Sequence, residues 1–340
     1  MYVIDPQDIL VPEECIAHVP AIPRDASRLL ILERKSGAIR EDIFRNIGEY
    51  LPAHSVLILN ETKVLPARIF AKTEAGSLVE LLYVRHGENT FFALSPKKLH
   101  ESDVLLLGTH ELKVRRATQG EYEILPSFPL SDLPTILEQQ GVTPLPPYIK
   151  QATLTEPERR KAYQTVFAKS AGSVAAPTAS LHFTPELLAS LEARGHTLIF
   201  VTLHVGRGTF MNPTKEQIEH KVLHEEWFEM SAEAARVMNL CRAAGRPIIP
   251  VGTTALRTIE TTTDDAGITQ AKSGTTNLFI QPGYHFKTTD HMITNFHVPH
   301  SSLRMLVTAF AGAENIVHSY EYAIAHKFRF YSFGDAMLIL

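Results

Sequence analysis

Leu78-Val79-Glu80-Leu81-Leu82-Tyr83-Val84 opens a series of short runs that mix apolar and polar residues. Phe91-Phe92-Ala93-Leu94, Val104-Leu105-Leu106-Leu107, Glu111-Leu112-Lys113-Val114 and Tyr122-Glu123-Ile124-Leu125 follow it. Gly and Asn stand between the runs, at a spacing of roughly ten residues that suits consecutive hairpins. Strand-length runs punctuated in this way form small antiparallel barrels or sandwiches. The reading expects a small antiparallel β-barrel over residues 71–150. Pro144-Leu145-Pro146-Pro147-Tyr148 then serves as a strap that ends the module, since proline breaks both helix and strand.

Outward from this module the pattern changes. Leu29-Leu30-Ile31-Leu32 and Ser55-Val56-Leu57-Ile58-Leu59-Asn60 are short and apolar throughout, as buried strands are. After residue 150, strands and helices alternate. Thr184-Pro185-Glu186 starts a helix, with Thr184 as cap and Pro185 at the first helical position. Leu198 to Leu203, Pro247 to Gly252 and Leu278-Phe279-Ile280 read as strands. Leu303 to Phe310 and Glu314 to Lys327 read as helices, and Phe328 to Phe333 alternates with the period of a strand. The expectation is an α/β main domain built from both chain ends, residues 1–70 and 151–340, with the barrel of residues 71–150 inserted into it.

The composition narrows the function classes. At 340 residues the chain is long enough for two domains. No run reaches the 18 apolar residues of a membrane span, so no membrane partner is expected. The first residues carry neither a basic region nor an apolar one, so no export signal is expected. Cys15 and Cys241 are too few for a disulfide framework, which points to a cytoplasmic location. A net charge of −4 does not advertise a general nucleic-acid binder, so any RNA site must be a local basic patch.

Chemistry concentrates in a few segments. Thr294-Asn295-Phe296-His297-Val298-Pro299-His300-Ser301-Ser302-Leu303-Arg304 sets amide, imidazole, hydroxyl and guanidinium groups at the start of an apolar helix. Open N–H groups at such a start attract anions. Gly252-Thr253-Thr254-Ala255-Leu256-Arg257-Thr258-Ile259-Glu260 is a strand–turn–helix of the same kind, with Arg257 one turn in; an Arg257–Glu260 surface pair is its plainer reading. Ala175 to Thr184 is a run of small residues that lets a ligand approach the backbone, or simply makes a tight loop with a satisfied His182. Thr202-Leu203-His204-Val205-Gly206-Arg207-Gly208 puts an imidazole at a strand end, where α/β proteins bind ligands. Its Gly-x-Gly lacks the rest of a dinucleotide fingerprint. His220 and His224 would lie one turn apart on a helix, but no third ligand accompanies them, and no metal is expected. Arg24 to Arg28 and Asn60 to Arg68 are loops of mixed charge that suit a polyanion or simply solvent.

Taken in chain order, these segments resemble the S-adenosylmethionine:tRNA ribosyltransferase-isomerase family of queuosine biosynthesis. The resemblance runs from Arg24-Asp25-Ala26-Ser27-Arg28 to Gly334-Asp335-Ala336-Met337-Leu338-Ile339, and also takes in Pro282-Gly283-Tyr284. It implies transfer and isomerisation of the ribosyl unit of S-adenosylmethionine onto the aminomethyl-deazaguanine at the wobble position of tRNA. Adenine and methionine leave, and epoxyqueuosine remains. S-adenosylmethionine is then a co-substrate, and no separate cofactor is implied. The partner is a tRNA with a modified wobble base; a monomer is expected, with a dimer left open.

The implied reaction makes four demands. A base must remove a proton beside the sulfonium: His204, His182 and His297 are the candidates. Departing adenine needs a proton donor, for which Asp335, Tyr331 or another His is available. Thr253, Thr254 and Arg257 suit the methionine carboxylate, and Asn295, Ser301 and Tyr331 are further substrate contacts. Arg28, Lys63, Arg68, Arg304 and Arg329 are the candidates for RNA phosphates. The chain departs from the family pattern at Glu61, Met211, Gln281 and His300, with Arg207 just upstream of the position where the family carries its arginine. Two other readings compete. A methyltransferase would show a Gly-rich first-strand fingerprint, and a non-catalytic RNA binder would show a basic face with stacking aromatics.

Overall fold

In the computed structural model the chain is described for residues 5–118, 121–150, 153–206, 208 and 212–340. Arg207 and Met211 therefore lie outside the described residues.

The five residues of Val56–Asn60 are all buried, as a run without polar alternation requires in a strand covered on both faces. Thr197–Leu203 and Ile248–Pro250 pair with it in parallel on either side. Val222–Met230 and Lys272–Leu278 extend this sheet antiparallel, in the order 248–250, 56–60, 197–203, 222–230, 272–278. A second sheet orders Met292–Asn295, Ala336–Ile339, Arg28–Leu32 and Ile39–Ile43. Its central pair is parallel, with Leu29 opposite Ala336, so strands from both chain ends meet. A parallel bridge between Val251 and Ile293 joins the two sheets edge to edge.

Helices cover this mixed sheet. Thr184 caps Pro185–Ala193 through its side chain, and Leu187 and Leu191 of that helix face the core. Ala232–Ala243 buries Ala234, Ala235, Met238 and Cys241 against Val56, Ile58 and Ile199. Ser302–Ala311 buries Leu306, Val307 and Phe310, each contributing about 1.5–3 kcal/mol of transfer free energy.

The barrel is closed and antiparallel throughout. Its strands are Arg68–Thr73, Leu78–His86, Phe91–Leu94, Val104–Leu107, His110–Thr118 and Glu121–Pro126. Ile69, Val79, Leu81, Phe91, Leu105, Leu112, Val114 and Ile124 fill it. Two of its elements are absent from the sequence reading. The strand Arg68–Thr73 begins before residue 71, and the helix Leu133–Gln140 packs Leu133, Ile136 and Leu137 on the barrel core. The chain enters and leaves the module side by side, with Arg68 bridged to Val142. Gly141 allows this approach: a Cβ there would sit 1.9 Å from the Pro66 carbonyl oxygen.

Three expectations need correction. Phe328 to Phe333 is not a strand: only Phe330 makes an isolated bridge, to Ile16, and Tyr331 turns the chain with φ at +71°. The strand is Ala336–Ile339, whose four buried residues show no alternation because both its faces are covered. Leu278 ends a strand that starts at Lys272, so Phe279 and Ile280 lie beyond it. His220 and His224 do not share a helix, since Lys221 takes φ of +55° after Lys215–His220 and His224 falls on the next strand. Among the described residues no three His, Cys, Asp or Glu side chains gather as a metal site. Nor is any helix among them long and apolar enough to cross a membrane.

Candidate active-site cleft

Two helices open their first turns onto one cleft. Thr253 and Thr254 start Thr253–Thr262, while Ser301 caps Ser302–Ala311 by accepting from the Arg304 backbone N–H at 3.2 Å. Pro146, Pro147 and Tyr148 form one wall, Ala176 to Ala179 another, and Thr294 to Val298 with Tyr331 and Ser332 a third. The proline strap read as a module boundary is thus part of the cleft. Its rigid backbone presents Tyr148 to Tyr331, with ring centroids 4.9 Å apart. Tyr148 also shares a hydrogen bond of 2.7 Å with the Ser332 hydroxyl. Burial pushes both phenols up to about 12, so they stay neutral donors.

Arg257 lies deeper, where a second hollow continues from the first past Thr253 and Thr254. It does not pair with Glu260, which accepts from the Lys287 and Thr288 backbone and from Tyr284 and Thr289 hydroxyls. Arg257 pairs instead with the buried Glu226 and donates from Nε to the Leu278 carbonyl at 3.0 Å. Its Nη2 and the Thr254 hydroxyl are both buried without a hydrogen-bond partner among the described residues. A helix N-terminus beside an unused guanidinium nitrogen is a place for an anion. Glu226 was not read from the sequence. A carboxylate on the inward register of Glu226, Phe228 and Met230 was the available signal.

The three imidazoles part company. His297 borders the cleft, with Nε2 2.7 Å from the Thr294 hydroxyl. His182 lies behind the wall, between Ser27 and Asn295. His204 does not border the cleft; it bonds Thr62 at 2.8 Å and stacks on Trp227 at 4.9 Å. Its other side is closed by Gly172, where a Cβ would come 2.6 Å from the ring. Burial pushes His182 and His297 down from 6.5 to about 3, helped by Arg329 and Arg24 for the first and Arg304 for the second.

That shift has a consequence for stability. The unfolded imidazoles take up protons near 6.5 and the folded ones only near 3. Their contribution is therefore complete above about 6.5 and drains away as pH falls toward 3. Each imidazole removes roughly 2 kcal/mol by pH 5. Thermal melts should show Tm dropping from pH 7.5 to pH 5, with a smaller drop in His297→Gln. A flat Tm across that range would contradict the buried, neutral state.

Asp335 does not border the cleft either. Its buried carboxylate accepts from the backbone N–H groups of Arg28 at 3.0 Å and Arg329 at 2.7 Å, and burial raises its pKa. It ties the start of the 28–32 strand to the turn that leads into the 336–339 strand. Asn295, Ser301 and Tyr331 all line the cleft.

The basic candidates also divide. Arg304 is fully buried: it donates to the carbonyls of His297, Pro6 and Ile9 and lies 4.5 Å from the Tyr320 ring. It has no face to offer RNA, contrary to the sequence reading, because its own helix and the 5–16 segment enclose it. Arg28 pairs with Glu41 over the Phe328 ring, and Arg329 holds the carbonyls of Val19 and Phe333. Lys63 is exposed, and Arg68 pairs with Glu80 at 3.0 Å. A separate cavity is lined by Arg24, Lys63, Lys161 and an Arg160 that pairs with Glu138 in the same lining, leaving it net basic, and it shares Tyr163 with the cleft. Among the departures, Glu61 sits beside the 197–203 strand, Gln281 bonds the Ile218 carbonyl at 3.1 Å, and His300 is exposed, 3.8 Å from Asp8.

Residues 7–339 match the family model described as queuosine biosynthesis protein. The chain is 45% identical over 336 residues to an S-adenosylmethionine:tRNA ribosyltransferase-isomerase of Caldanaerobacter subterraneus subsp. tengcongensis, covering 97% of each chain. It is 44% identical to a protein of the same name from Thermoanaerobacter sp., again covering 97% of each. The crystal structure of an S-adenosylmethionine tRNA ribosyltransferase from Thermotoga maritima superposes with a TM-score of 0.56 at 32% identity, covering 98% of this chain and 100% of that one. With a matching model over nearly its whole length and relatives of one name at this identity, the chain belongs to the queuosine biosynthesis family of S-adenosylmethionine:tRNA ribosyltransferase-isomerases.

Proposed function

We propose that the cleft brings S-adenosylmethionine against the wobble base of a tRNA and transfers its ribosyl unit to the aminomethyl group of a deazaguanine there. The observation that carries this reading is the shared cleft itself. It combines two helix N-termini, an aromatic wall and a neutral imidazole. The methionine carboxylate sits at Thr253 and Thr254, with Arg257 Nη2 beneath. The faces of Tyr148 and Tyr331 receive the sulfonium, which a π-cloud attracts when water is excluded.

His297 takes the proton next to the sulfonium. The hydroxyl of Tyr331 donates to departing adenine. The substrate amine then attacks the ribosyl unit and gives up a proton that restores the Tyr331 phenol, and ring closure expels methionine as its neutral thioether. Asn295 and Ser301 complete the wall. The anticodon backbone lies along the basic cavity, with Lys63 and Arg68 nearby and Tyr163 between cavity and cleft. Arg28 and Arg329 extend that contact only from the outer surface. The buried, free Cys15 and Cys241 suit work in a reducing cytoplasm, and S-adenosylmethionine is the only small molecule invoked.

The test is product analysis with purified protein, S-adenosylmethionine and tRNA carrying the aminomethyl-deazaguanine. Adenine and methionine released only with the modified tRNA support the reading. S-adenosylhomocysteine instead would make the protein a methyltransferase. tRNA binding that stays flat from low to high salt would remove the phosphate contacts from the account.

A further inference from the structure

One buried acceptor in the cleft wall has no partner among the described residues. Asn295 ends the strand Met292–Asn295, is 2% exposed and borders the cleft. Its Nδ2 lies 3.1 Å from His182 Nε2, 3.4 Å from the Tyr331 carbonyl and 3.5 Å from the Asp335 carbonyl. Two of these three neighbours only accept hydrogen bonds, so the amide nitrogen must face them. A flipped amide would set Oδ1 against two carbonyl oxygens. His182 Nε2 must then accept as well, which places the ring proton on Nδ1, facing the Ser27 hydroxyl at 2.8 Å. Both nitrogens of His182 are thereby used. The chain of contacts from Ser27 through His182 to Asn295 leaves Oδ1 turned away from all three, buried and unpartnered.

A lone amide oxygen asks for an N–H or O–H donor and repels a carboxylate or phosphate. The same amide is tied to the backbone of Tyr331, whose ring forms the aromatic wall. A flat ring seated against that wall would present its edge substituents within the cleft that Asn295 also lines. This is the way asparagine reads an exocyclic amine of a base. We infer that Asn295 Oδ1 is a specificity-determining acceptor for the exocyclic amine of a nucleobase in the cleft, with His182 and Ser27 as positioning residues rather than proton carriers. The amine has two sources, the adenine of S-adenosylmethionine or the deazaguanine of the tRNA. The inference rests on the substrates proposed above.

The experiment compares native substrates with two that each lack one amine. One arm uses the S-adenosylmethionine analogue whose adenine 6-amine is an oxo group. The other uses tRNA whose modified base lacks the 2-amine but keeps the aminomethyl nucleophile. In the unaltered protein, removing the recognised amine should raise the corresponding KM by about 10- to 100-fold, because a built acceptor is left unpaired. The arm that responds identifies the source. In Asn295→Leu the native and amine-less substrates should become equivalent, with kcat changed far less than KM. Ser27→Ala removes the partner of His182 Nδ1–H, so it should loosen the hold on the amide and relax the same discrimination several-fold, with a modest fall in Tm. Discrimination unchanged in both variants, or absent in the unaltered protein, overturns the inference. Failure of the unaltered protein to release adenine from native substrates would strike the reaction instead, so the two failures are distinct.

Discussion

Replacing His297 by Gln should lower kcat for adenine release by about 10²- to 10⁴-fold, the range expected when a general base is lost. Of the three imidazoles that the sequence offers as bases, His297 is the one that borders the cleft. Burial and Arg304 push it down to about 3, so it stands unprotonated at neutral pH. Its Nε2 is held by Thr294 at 2.7 Å, which fixes the ring against the wall. So low a value makes a weak base in the empty cleft. On the proposed binding mode, the methionine carboxylate brings negative charge into the same cleft and raises its proton affinity when substrate is bound. His204→Gln, outside the cleft, should keep kcat within about tenfold, well short of the loss that follows removal of a general base.

The pH profile carries a sign. A base active in its unprotonated form, with its pKa pushed down to about 3, loses no activity as pH falls through 6.5. On this group's account kcat/KM stays flat from pH 8 to pH 6. An inflection near 6.5 that vanishes in His297→Gln would contradict the depressed value. Unaltered single-turnover rates in His297→Gln would remove His297 from the mechanism altogether.

The second large effect concerns Arg257. Arg257→Ala should destabilise the fold by about 3–5 kcal/mol, because it leaves the Glu226 carboxylate buried without its counter-charge. The side chains are only 7% and 8% exposed. Glu226 also accepts from the Gly206 N–H at 2.9 Å, so the loop after the 197–203 strand should loosen too. Replacing both partners, Arg257→Met with Glu226→Leu, should recover most of that stability, since apolar pairs of similar volume substitute well for buried ion pairs. The double variant should nonetheless keep a raised KM for S-adenosylmethionine, because the guanidinium nitrogen facing the anion site is gone. Melting curves and KM together separate the two roles. An unchanged KM in the double variant would show that Arg257 only neutralises Glu226.

Much of the fold was legible in local patterns. Runs such as Val56-Leu57-Ile58-Leu59 permit little but a doubly covered strand. Thr184-Pro185 and Ser301 announce helix starts through chemistry that acts over three residues. The five barrel runs read from the sequence all became strands. What escaped was short or disguised. Arg68 closes the charged loop of Asn60 to Arg68, and the strand Arg68–Thr73 that starts there is too short to announce itself, while Leu133–Gln140 is an eight-residue helix whose one apolar stripe of Leu133, Ile136 and Leu137 spans a single turn. Phe328 to Phe333 had the right period and the wrong context, since Phe328 and Phe330 join one aromatic cluster while Tyr331 turns into the cleft.

The sequence by itself determined that polar groups gather at strand ends and helix starts, and that a barrel interrupts an α/β chain. These are properties of neighbours within a few residues, where capping, turn chemistry and side-chain alternation act. Which of those groups share a cleft was decided only by tertiary structure. His182, His204 and His297 have similar local settings, yet one lines the cavity, one braces its wall and one stacks on Trp227. Arg257 found Glu226, 31 residues away in sequence, rather than Glu260 one turn along. Arg304, a surface candidate by type, was enclosed by a segment almost 300 residues distant. Burial, pairing and proton affinity depend on what the completed fold packs against each side chain, and no spacing in the chain encodes that directly.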